Sequence, residues 1–294
     1  IGTVDNTFTF EPYSNTDTAN YDITVVFGKL TINKIVTPIV ITANSNSKMY
    51  DGTPLTDDGF TFTTDVVAEG DALIADVEGT ITDFGTVANK VTGYRVVRGA
   101  DDVTKNYTFG ESVDGTLSIT KRHVTLTSAS DSKVYDRRPL TNSEVTVGGD
   151  GFAENEGATY NVKGTIIDFG KVANAFDYAL KTNTKAINYD IDTVYGTLSI
   201  TKRPTAIVYN YGYDVKPDTV SGFADEPYAK MSDPVRTGYD FKGWDAQLPA
   251  LLPLDTLTVT AQWSLVTYEI QLDTFETITY TVEDHKVIDL NDYI

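Results

Sequence analysis

The side chains that carry most enzyme chemistry are scarce in this chain. Cysteine is absent, and the two histidines, His123 and His285, have no catalytic motif around them. Neither a Gly-x-Ser-x-Gly elbow nor a His-Glu-x-x-His zinc motif occurs. Because acid–base and nucleophilic catalysis needs groups that titrate or attack near neutral pH, we predict no catalytic residues, no cofactor-binding residues and no enzymatic activity.

Acidic loops are the next candidates for chemistry. Residues 149–156, with the sequence GDGFAENE, offer oxygen ligands of the kind that calcium prefers. The Asp-x-Asp-x-Asp-Gly spacing of a calcium loop is missing, and solvated acidic loops are far commoner. We therefore assign no metal ligand and no cofactor, and calcium stays open as the one ion that such loops suit.

Lysine and asparagine raise the hypothesis of an internal amide crosslink. Lys48 and Lys133 occupy equivalent first-strand positions. Their candidate partners are the asparagines of two recurring signals, Asn89 or Asn106 and Asn174 or Asn188. Such a bond needs a buried lysine, and lysine is nearly always exposed, so ordinary lysines are the stronger interpretation. An intact mass without ammonia loss would dispose of the crosslink.

Several tyrosines invite a sugar-binding interpretation, because aromatic faces stack on sugar rings. Tyr107, Tyr209, Tyr211 and Tyr239 all fall within strand patterns, where core or cross-strand packing explains them. We therefore predict packing roles for these tyrosines.

The elements that hold these residues recur along the chain. Tyr50 and Tyr135 lie 85 residues apart within matching stretches, Ser-Lys-x-Tyr-Asp-x-x-Pro-Leu-Thr. Three further signals occur three times each. They are a Gly-x-Val-x-Asn stretch (from Gly2, Gly85 and Gly170), an Asn-Tyr pair (at Asn20, Asn106 and Asn188) and a Gly-x-Leu-x-Ile-x-Lys ending (from Gly28, Gly115 and Gly196). This self-similarity predicts tandem domains.

Each repeat reads as short strands and turns. Leu117 and Ile119 alternate with polar residues, which is the period of a half-buried strand. Asp51-Gly52 is a turn signal, whereas the second repeat has Arg137 in place of the glycine, so the left-handed conformation there is either not required or strained. An 85-residue unit of short strands predicts an immunoglobulin-like β-sandwich.

The pattern changes after Lys202. Residues 204–263 contain an alternating strand, the phrase Thr-Gly-Tyr-Asp-Phe-Lys-Gly-Trp and a closing strand that ends at Trp263. Residues 264–294 begin another hairpin, in which Tyr268, Ile270 and Leu272 face Ile278, Tyr280 and Val282.

The domain boundaries are predicted after the lysines that end each repeat. The resulting segments are 1–34 (the C-terminal half of a repeat), 35–121 and 122–203 (complete repeats), 204–263 (a smaller unit) and 264–294 (the start of a further repeat). Pro38 and Pro204 follow these boundaries closely, where proline suits a linker. We expect an excerpt of a longer chain, with each terminal stub packed on a neighbouring domain or another molecule.

These motifs resemble two kinds of bacterial repeat. Residues 36–203, with the half-repeat 1–34, resemble the MBG or YDG-type repeats of large surface proteins. Residues 204–263 are similar to the Listeria–Bacteroides repeat, the B-repeat type of internalins. The resemblance implies immunoglobulin-like domains, then a β-grasp-like domain, in an extracellular, cell-surface setting as spacers of adhesins, without catalytic residues.

Charge and linkers complete these expectations. With 23 basic and 42 acidic residues, the net charge of −19 argues against nucleic acid or anionic lipid as a partner, and no run of apolar residues predicts membrane insertion. Short linkers predict an extended, stiff rod, which solution scattering would test. We expect a structural stalk whose partners are its flanking repeats, with glycan or protein ligands bound by other domains. The alternative is a module that itself recognises a glycan or protein.

Overall fold

The chain is all-β. The computed structural model describes residues 1–270 and 277–283, and their only helices are three-residue 3-10 turns. The 3-10 turns are Thr18–Asn20, Thr64–Val66, Thr104–Asn106 and Ala186–Asn188. Within the described residues, no helix is long or apolar enough to cross a membrane. The prediction of an all-β fold is therefore confirmed.

The strands follow the predicted repeats. Residues 1–34 form β1 (Gly2–Asn6) and β2 (Gly28–Ile32). The first complete repeat forms β3 (Pro38–Ile39), β4 (Ile41–Ala43), β5 (Asn46–Met49), β6 (Phe60–Phe62), β7 (Ala72–Glu78), β8 (Gly85–Arg98), β9 (Asp101–Asp102), β10 (Thr108–Phe109) and β11 (Gly115–Thr120). The second forms β12 (Arg122–Ser128), β13 (Asp131–Val134), β14 (Val145–Gly149), β15 (Ala158–Val162), β16 (Gly170–Ala173), β17 (Phe176–Leu180), β18 (Tyr189–Val194) and β19 (Thr197–Thr201).

The remaining strands belong to the C-terminal part. They are β20 (Pro204–Asn210), β21 (Asp218–Phe223), β22 (Tyr239–Trp244), β23 (Leu257–Leu265), β24 (Tyr268–Ile270) and β25 (Ile278–Tyr280). The predicted hairpin after residue 263 is present as the antiparallel pair β24–β25, with Tyr268 opposite Tyr280. Leu272 and His285 lie outside the described residues.

The chain packs as two compact units. Unit 1 comprises Ile1–Leu126, Val147–Thr159 and Tyr178–Thr193, and unit 2 comprises Thr127–Thr146, Tyr160–Asp177 and Val194–Ile294. The division therefore passes through the second repeat. Part of this repeat belongs to unit 1 and the rest belongs to unit 2. The boundaries after Lys34, Lys121 and Lys202 stay predictions from the sequence.

The first complete repeat has two groups of strands around one core. One sheet has the order β5-β11-β8-β7, with β9 paired to β8, and the opposing strands pair as β3 with β10 and β4 with β6. Ile39 and Ile41 from β3 and β4 pack with Val96 of β8 and with Tyr107. Side chains from both layers thus share the core, which is the arrangement of a β-sandwich.

The second repeat reuses the same pairings. β13 pairs in parallel with β19 as β5 does with β11, and β16 pairs antiparallel with β19 as β8 does with β11. Leu117 and Ile119, predicted to alternate with polar residues on a half-buried strand, are both buried, and so are Val124 and Leu126 on β12. The 85-residue period of the sequence is therefore also a structural period.

The turn after Tyr135 decides between the two interpretations of Arg137. Gly52 has φ +82°, and Arg137 at the equivalent position has φ +62°. The left-handed conformation is therefore required in both repeats, and the arginine adopts it against the steric preference of an L-residue.

Strands β20 to β23, all within unit 2, form a mixed four-stranded sheet, the C-terminal sheet. Its order is β21-β20-β23-β22, and the two central strands are parallel. Ile207, Tyr209 and Val259 from these central strands are buried together with Leu252. Pro204 is the first residue of β20, a position that tolerates its missing N–H.

Candidate functional site

The most distinctive chemistry of unit 1 lies at a joint between the two complete repeats. The hydroxyls of Tyr50 and Tyr189 each donate a hydrogen bond of 2.6 Å to one carboxylate oxygen of Glu156. The two rings meet edge to face, with centroids 5.6 Å apart. A carboxylate of the second repeat thus accepts a hydrogen bond from a tyrosine of each repeat.

Burial and charge favour the neutral tyrosine at this joint. Burial of the Tyr50 side chain, reinforced by its hydrogen bond to Glu156, raises the pKa of Tyr50 to about 12. The same two causes raise the pKa of Tyr189. Both phenols consequently remain donors at neutral pH, which is the state that the Glu156 carboxylate needs.

Arg122, just after the end of the first repeat, reinforces the joint through main-chain oxygens. Its guanidinium donates to the carbonyl of Gly151 at 2.8 Å and to the carbonyl of Tyr50 at 3.1 Å, and also contacts the carbonyl of Asp150. An arginine fork suits several acceptors at once. Arg122 therefore ties the end of the first repeat to a loop of the second.

A second group of contacts flanks the tyrosines. The backbone N–H of Phe84 donates to the buried side chain of Asn188 at 2.7 Å, and Asn188 donates to Asp83 at 3.0 Å. Lys185 lies 2.6 Å from Asp83 and is the main cause that lowers the pKa of that carboxyl, followed by Asn188. The Asn-Tyr signal of one repeat therefore binds the Asp-Phe-Gly turn of the preceding one.

Unit 2 contains a second joint built in the same way. Tyr135, the equivalent of Tyr50, donates to Asp225 at 2.8 Å. Arg137 forms a two-pronged contact with the same carboxylate, at 3.0 and 2.5 Å. Arg137 is the main cause that lowers the pKa of Asp225, and the Tyr135 hydroxyl adds to the effect.

Apolar packing and further cations accompany this second joint. Ala224 and Leu254, from the loops of the C-terminal sheet, pack with a core that contains Tyr135 and Ile200 of the second repeat. Arg203 follows a repeat-ending lysine, as Arg122 does, and donates to the carbonyl of Leu254 at 2.8 Å. The C-terminal sheet region therefore presents the same kinds of acceptor, a carboxylate and a carbonyl, to the second repeat.

The hypothetical crosslink residues are not brought together. Lys48 lies opposite Ile119 on β11, whereas Asn89 lies opposite Gly115, four positions or roughly 13 Å along the strand. The Nζ of Lys48 instead lies 2.8 Å from Asp51. Lys133 contacts Asp136 in the same way, and Asn106 and Asn188 take part in the joint contacts.

Asn89 and Asn174 have a different role. Each is buried, and each side-chain amide donates to two carbonyls of the first half of its own repeat, at 2.8–2.9 Å. They join the two halves of a repeat through hydrogen bonds without a covalent bond.

Two of the three carboxylates of the acidic loop 149–156 accept hydrogen bonds within the protein. Glu156 accepts from the tyrosines, and Asp150 accepts the backbone N–H of His123 at 2.9 Å. The ring of His123 is exposed and lies 3.7 Å from Asp192. Among the described residues, no three histidine, cysteine, aspartate or glutamate side chains converge in a way that would hold a metal ion.

A surface groove of about 600 Å³ lies along the first repeat. It is lined by Thr56, Asp57, Asp58, Val77, Glu78, Gly79 and Thr80. The equivalent groove of the second repeat is smaller, about 150 Å³, and has Asn142, Ser143 and Lys163 in place of the three carboxylates. The groove is thus a property of the repeat, and its charge differs between copies.

The tyrosines considered for sugar binding have packing partners. Tyr107 is buried and donates to Asp71, and Tyr209 is buried against Trp244. Tyr211 donates to Asp218, and the Tyr239 ring lies under the guanidinium of Arg236.

Sequence reasoning missed the acceptors at the joints. In the sequence, Glu156 lies in a loop of calcium-like composition, and no motif marks Asp225. A signal existed, since Asp71 and Glu156 are 85 residues apart and each accepts from the tyrosine of an Asn-Tyr pair. The Tyr50 contact joins residues 106 positions apart, which no local pattern reveals.

The architecture defines a class, all-β proteins with tandem structural repeats, and at each of the two joints a tyrosine donates to a carboxylate of the next domain. No protein-family model matches the chain, and no curated protein is significantly similar to it in sequence.

Proposed function

We propose that residues 1–294 are a structural stalk segment of a large bacterial cell-surface adhesin, which holds a distal binding region away from the cell. The observation that carries the proposal is the recurrence of one joint: a tyrosine that directly follows β5 or β13 donates to a carboxylate of the next domain, at Tyr50–Glu156 and again at Tyr135–Asp225. A spacer needs fixed joints more than it needs a reactive site.

The extracellular and bacterial parts of this proposal derive from the resemblance of residues 1–263 to surface-protein repeats. The net charge of −19 agrees with a solvated surface that repels anionic polymers. The partners in this function are the flanking repeats, and glycans or proteins are bound through other domains.

Rigidity of the joint within unit 1 is the direct test. Because the chain has no cysteine, spin labels can be attached specifically at the exposed sites Lys90 and Thr182 after substitution by cysteine. Double electron–electron resonance should give a narrow distance distribution for the parent protein and a broader one for Glu156→Ala. The matched control Glu154→Ala alters an exposed neighbour and should leave the distribution narrow. A broad distribution in the parent protein would contradict the stalk.

The rival function, direct recognition of a glycan or protein, is favoured by the groove beside Asp57, Asp58 and Glu78. A glycan array probed with residues 1–294 separates the two. Saturable binding that is lost in a triple Asp57→Asn, Asp58→Ser, Glu78→Lys variant, which copies the second repeat, would support the binding module.

A further inference from the structure

Two strands of the first complete repeat link the point where the chain enters its larger sheet to the point where the chain leaves it. β5 is the earliest strand of that sheet and β11 is the latest, and they pair in parallel over four residues, 46–49 with 117–120. The backbone N–H of Tyr50 adds a bond of 2.8 Å to the carbonyl of Thr120. Because the strands run in the same direction, the chain enters the pair at one end and leaves it at the other.

The same link occurs in two further places. In the second repeat, β13 and β19 pair in parallel over four residues, and the backbone N–H of Tyr135 donates to the carbonyl of Thr201 at 2.9 Å. In the C-terminal sheet, the first strand β20 and the last strand β23 also pair in parallel over four residues. Sheets with different strand orders therefore share one way of connecting entry and exit.

The direction of pairing determines how such a link responds to tension. Tension along the chain pulls the start of the first strand and the end of the last strand in opposite directions, along the strands. In a parallel pair the hydrogen bonds are evenly spaced, so this shear loads them together and they must break nearly at once. In an antiparallel pair the two pulled ends would lie side by side, and the bonds would break one after another.

The joint residues lie at the end of the pair β5–β11. Tyr50 directly follows β5, and while its N–H binds β11, its hydroxyl donates to Glu156 of the next repeat at 2.6 Å. The carbonyl of Tyr50 accepts from Arg122, shortly after the end of β11, at 3.1 Å. Movement of β5 past β11 would therefore have to break the contact with the next repeat as well.

We propose that the pair β5–β11 is a load-bearing clamp, which gives the first repeat its resistance to tension along the chain, and that the carboxylate of the next domain locks this clamp by holding Tyr50. The pair β13–β19, held through Tyr135 and Asp225, is a second clamp of this kind, and β20–β23 is a third clamp. The proposal rests on the stalk function, because a segment between a cell and a bound surface transmits tension. It adds to that function a resistance to forced unfolding that is built into each domain.

Pulling the first repeat in two directions tests the clamp. Because the chain has no cysteine, handles for optical tweezers can be attached to the full chain at introduced pairs of cysteines. Ser45→Cys with Thr120→Cys loads β5 and β11 along their length, whereas Ser45→Cys with Asp114→Cys pulls the two strands apart from one end. All three sites are exposed.

The two pulling geometries should differ in unfolding force. We expect at least about twice the force in the first geometry, since several hydrogen bonds then share the load. The unfolding event is recognised there by a length gain of about 250 Å, the extended length of residues 45–120 less their folded separation. Both measurements use the same fold and share one anchor, so a difference in force reflects the direction of pulling.

Substitutions at the joint test the lock. With the anchors at positions 45 and 120, Glu156→Ala should shorten the lifetime of the first repeat at constant force about five- to tenfold, because a hydrogen bond to a charged acceptor is lost. Tyr50→Phe, which removes the hydroxyl and keeps the ring, should have the same effect. Glu154→Ala, at an exposed neighbouring site, should leave the lifetime as in the parent protein.

Two results would overturn the proposal. They are equal unfolding forces in the two geometries, and parent-like lifetimes for both Glu156→Ala and Tyr50→Phe. The stalk proposal fails on a different measurement, the width of the distance distribution between labels at positions 90 and 182. A narrow distribution together with equal forces would therefore reject the clamp and keep the stalk.

Discussion

At the scale of single residues, the joints depend on carboxylates that accept from more than one donor. Glu156 accepts from two tyrosines, and Asp225 accepts from Tyr135 and Arg137. Hydrogen bonds to charged acceptors are stronger than those between neutral groups. Each joint therefore depends on a single carboxylate side chain that accepts several directional hydrogen bonds.

Arg137 has two opposing effects on the stability of the protein. Its left-handed backbone costs about 1–2 kcal/mol, whereas its guanidinium binds Asp225. Arg137→Ala keeps the strain and loses the contact, whereas Arg137→Gly loses both. We expect Arg137→Gly to be more stable than Arg137→Ala by about 1 kcal/mol, measured as the difference in free energy of unfolding in urea. Equal stability would show that the turn relaxes without strain.

The raised pKa of the joint tyrosine Tyr50 predicts that the protein loses stability in alkali. The folded pKa of Tyr50 is about 12, against 10.0 for the unfolded side chain. Because the folded pKa is the higher one, this contribution is complete below pH 10 and is lost as the pH rises from about 10 to about 12. The thermal midpoint should fall across that range, and Tyr50→Phe should lessen the fall. Tyr13→Phe, at an exposed site, should not change it.

At the scale of elements, close contact between β-strands is what requires particular glycines. The start of β11 passes so near the carbonyl of Asn44 that Gly115 has no room for a methyl group. The corresponding point of β2 is open. The glycine of the same sequence signal therefore leaves room for a methyl group in β2 and leaves none in β11.

This difference gives a matched pair of substitutions. Gly115→Ala should destabilise the first complete repeat by about 1–3 kcal/mol or more, because neither backbone can move without breaking the sheet. Gly28→Ala should change the stability by less than about 0.5 kcal/mol. Circular dichroism during urea unfolding measures both. Similar losses for the two variants would mean that β2 is covered in solution.

At the scale of the whole molecule, stability is expected to be distributed by unit. One end of the second repeat packs in unit 1 with the first repeat, and the other end packs in unit 2 with the C-terminal sheet. In a tandem-repeat protein, stability is approximately a sum of repeat terms and nearest-neighbour terms. Damage to one repeat should therefore affect the part of its neighbour that shares its unit.

Hydrogen exchange of Gly115→Ala tests this distribution. Exchange should accelerate in the first repeat and, to a lesser degree, in residues 147–159 and 178–193, which belong to unit 1. The strands β20 and β23, in unit 2, should exchange as in the parent protein. Acceleration confined to the first repeat would show that the Tyr50–Glu156 joint transmits no stability.

Much of the local structure could be predicted from the sequence. The strand of Leu117 and Ile119, the turn at Gly52 and the 85-residue period all follow from short-range patterns, because a strand's period and a turn's backbone preference are properties of neighbouring residues.

Only the tertiary structure decided which residues meet. Glu156 lies 106 positions from Tyr50 and Asp225 lies 90 from Tyr135, and their carboxylates resemble any others in an acidic chain. The clearest case is the Gly-x-Leu-x-Ile stretch. It forms the same antiparallel pair at residues 28–32 and 115–119, yet Ile32 is exposed and Ile119 is buried. Strand pairing is encoded locally, whereas burial depends on a second layer that the stretch itself does not contain.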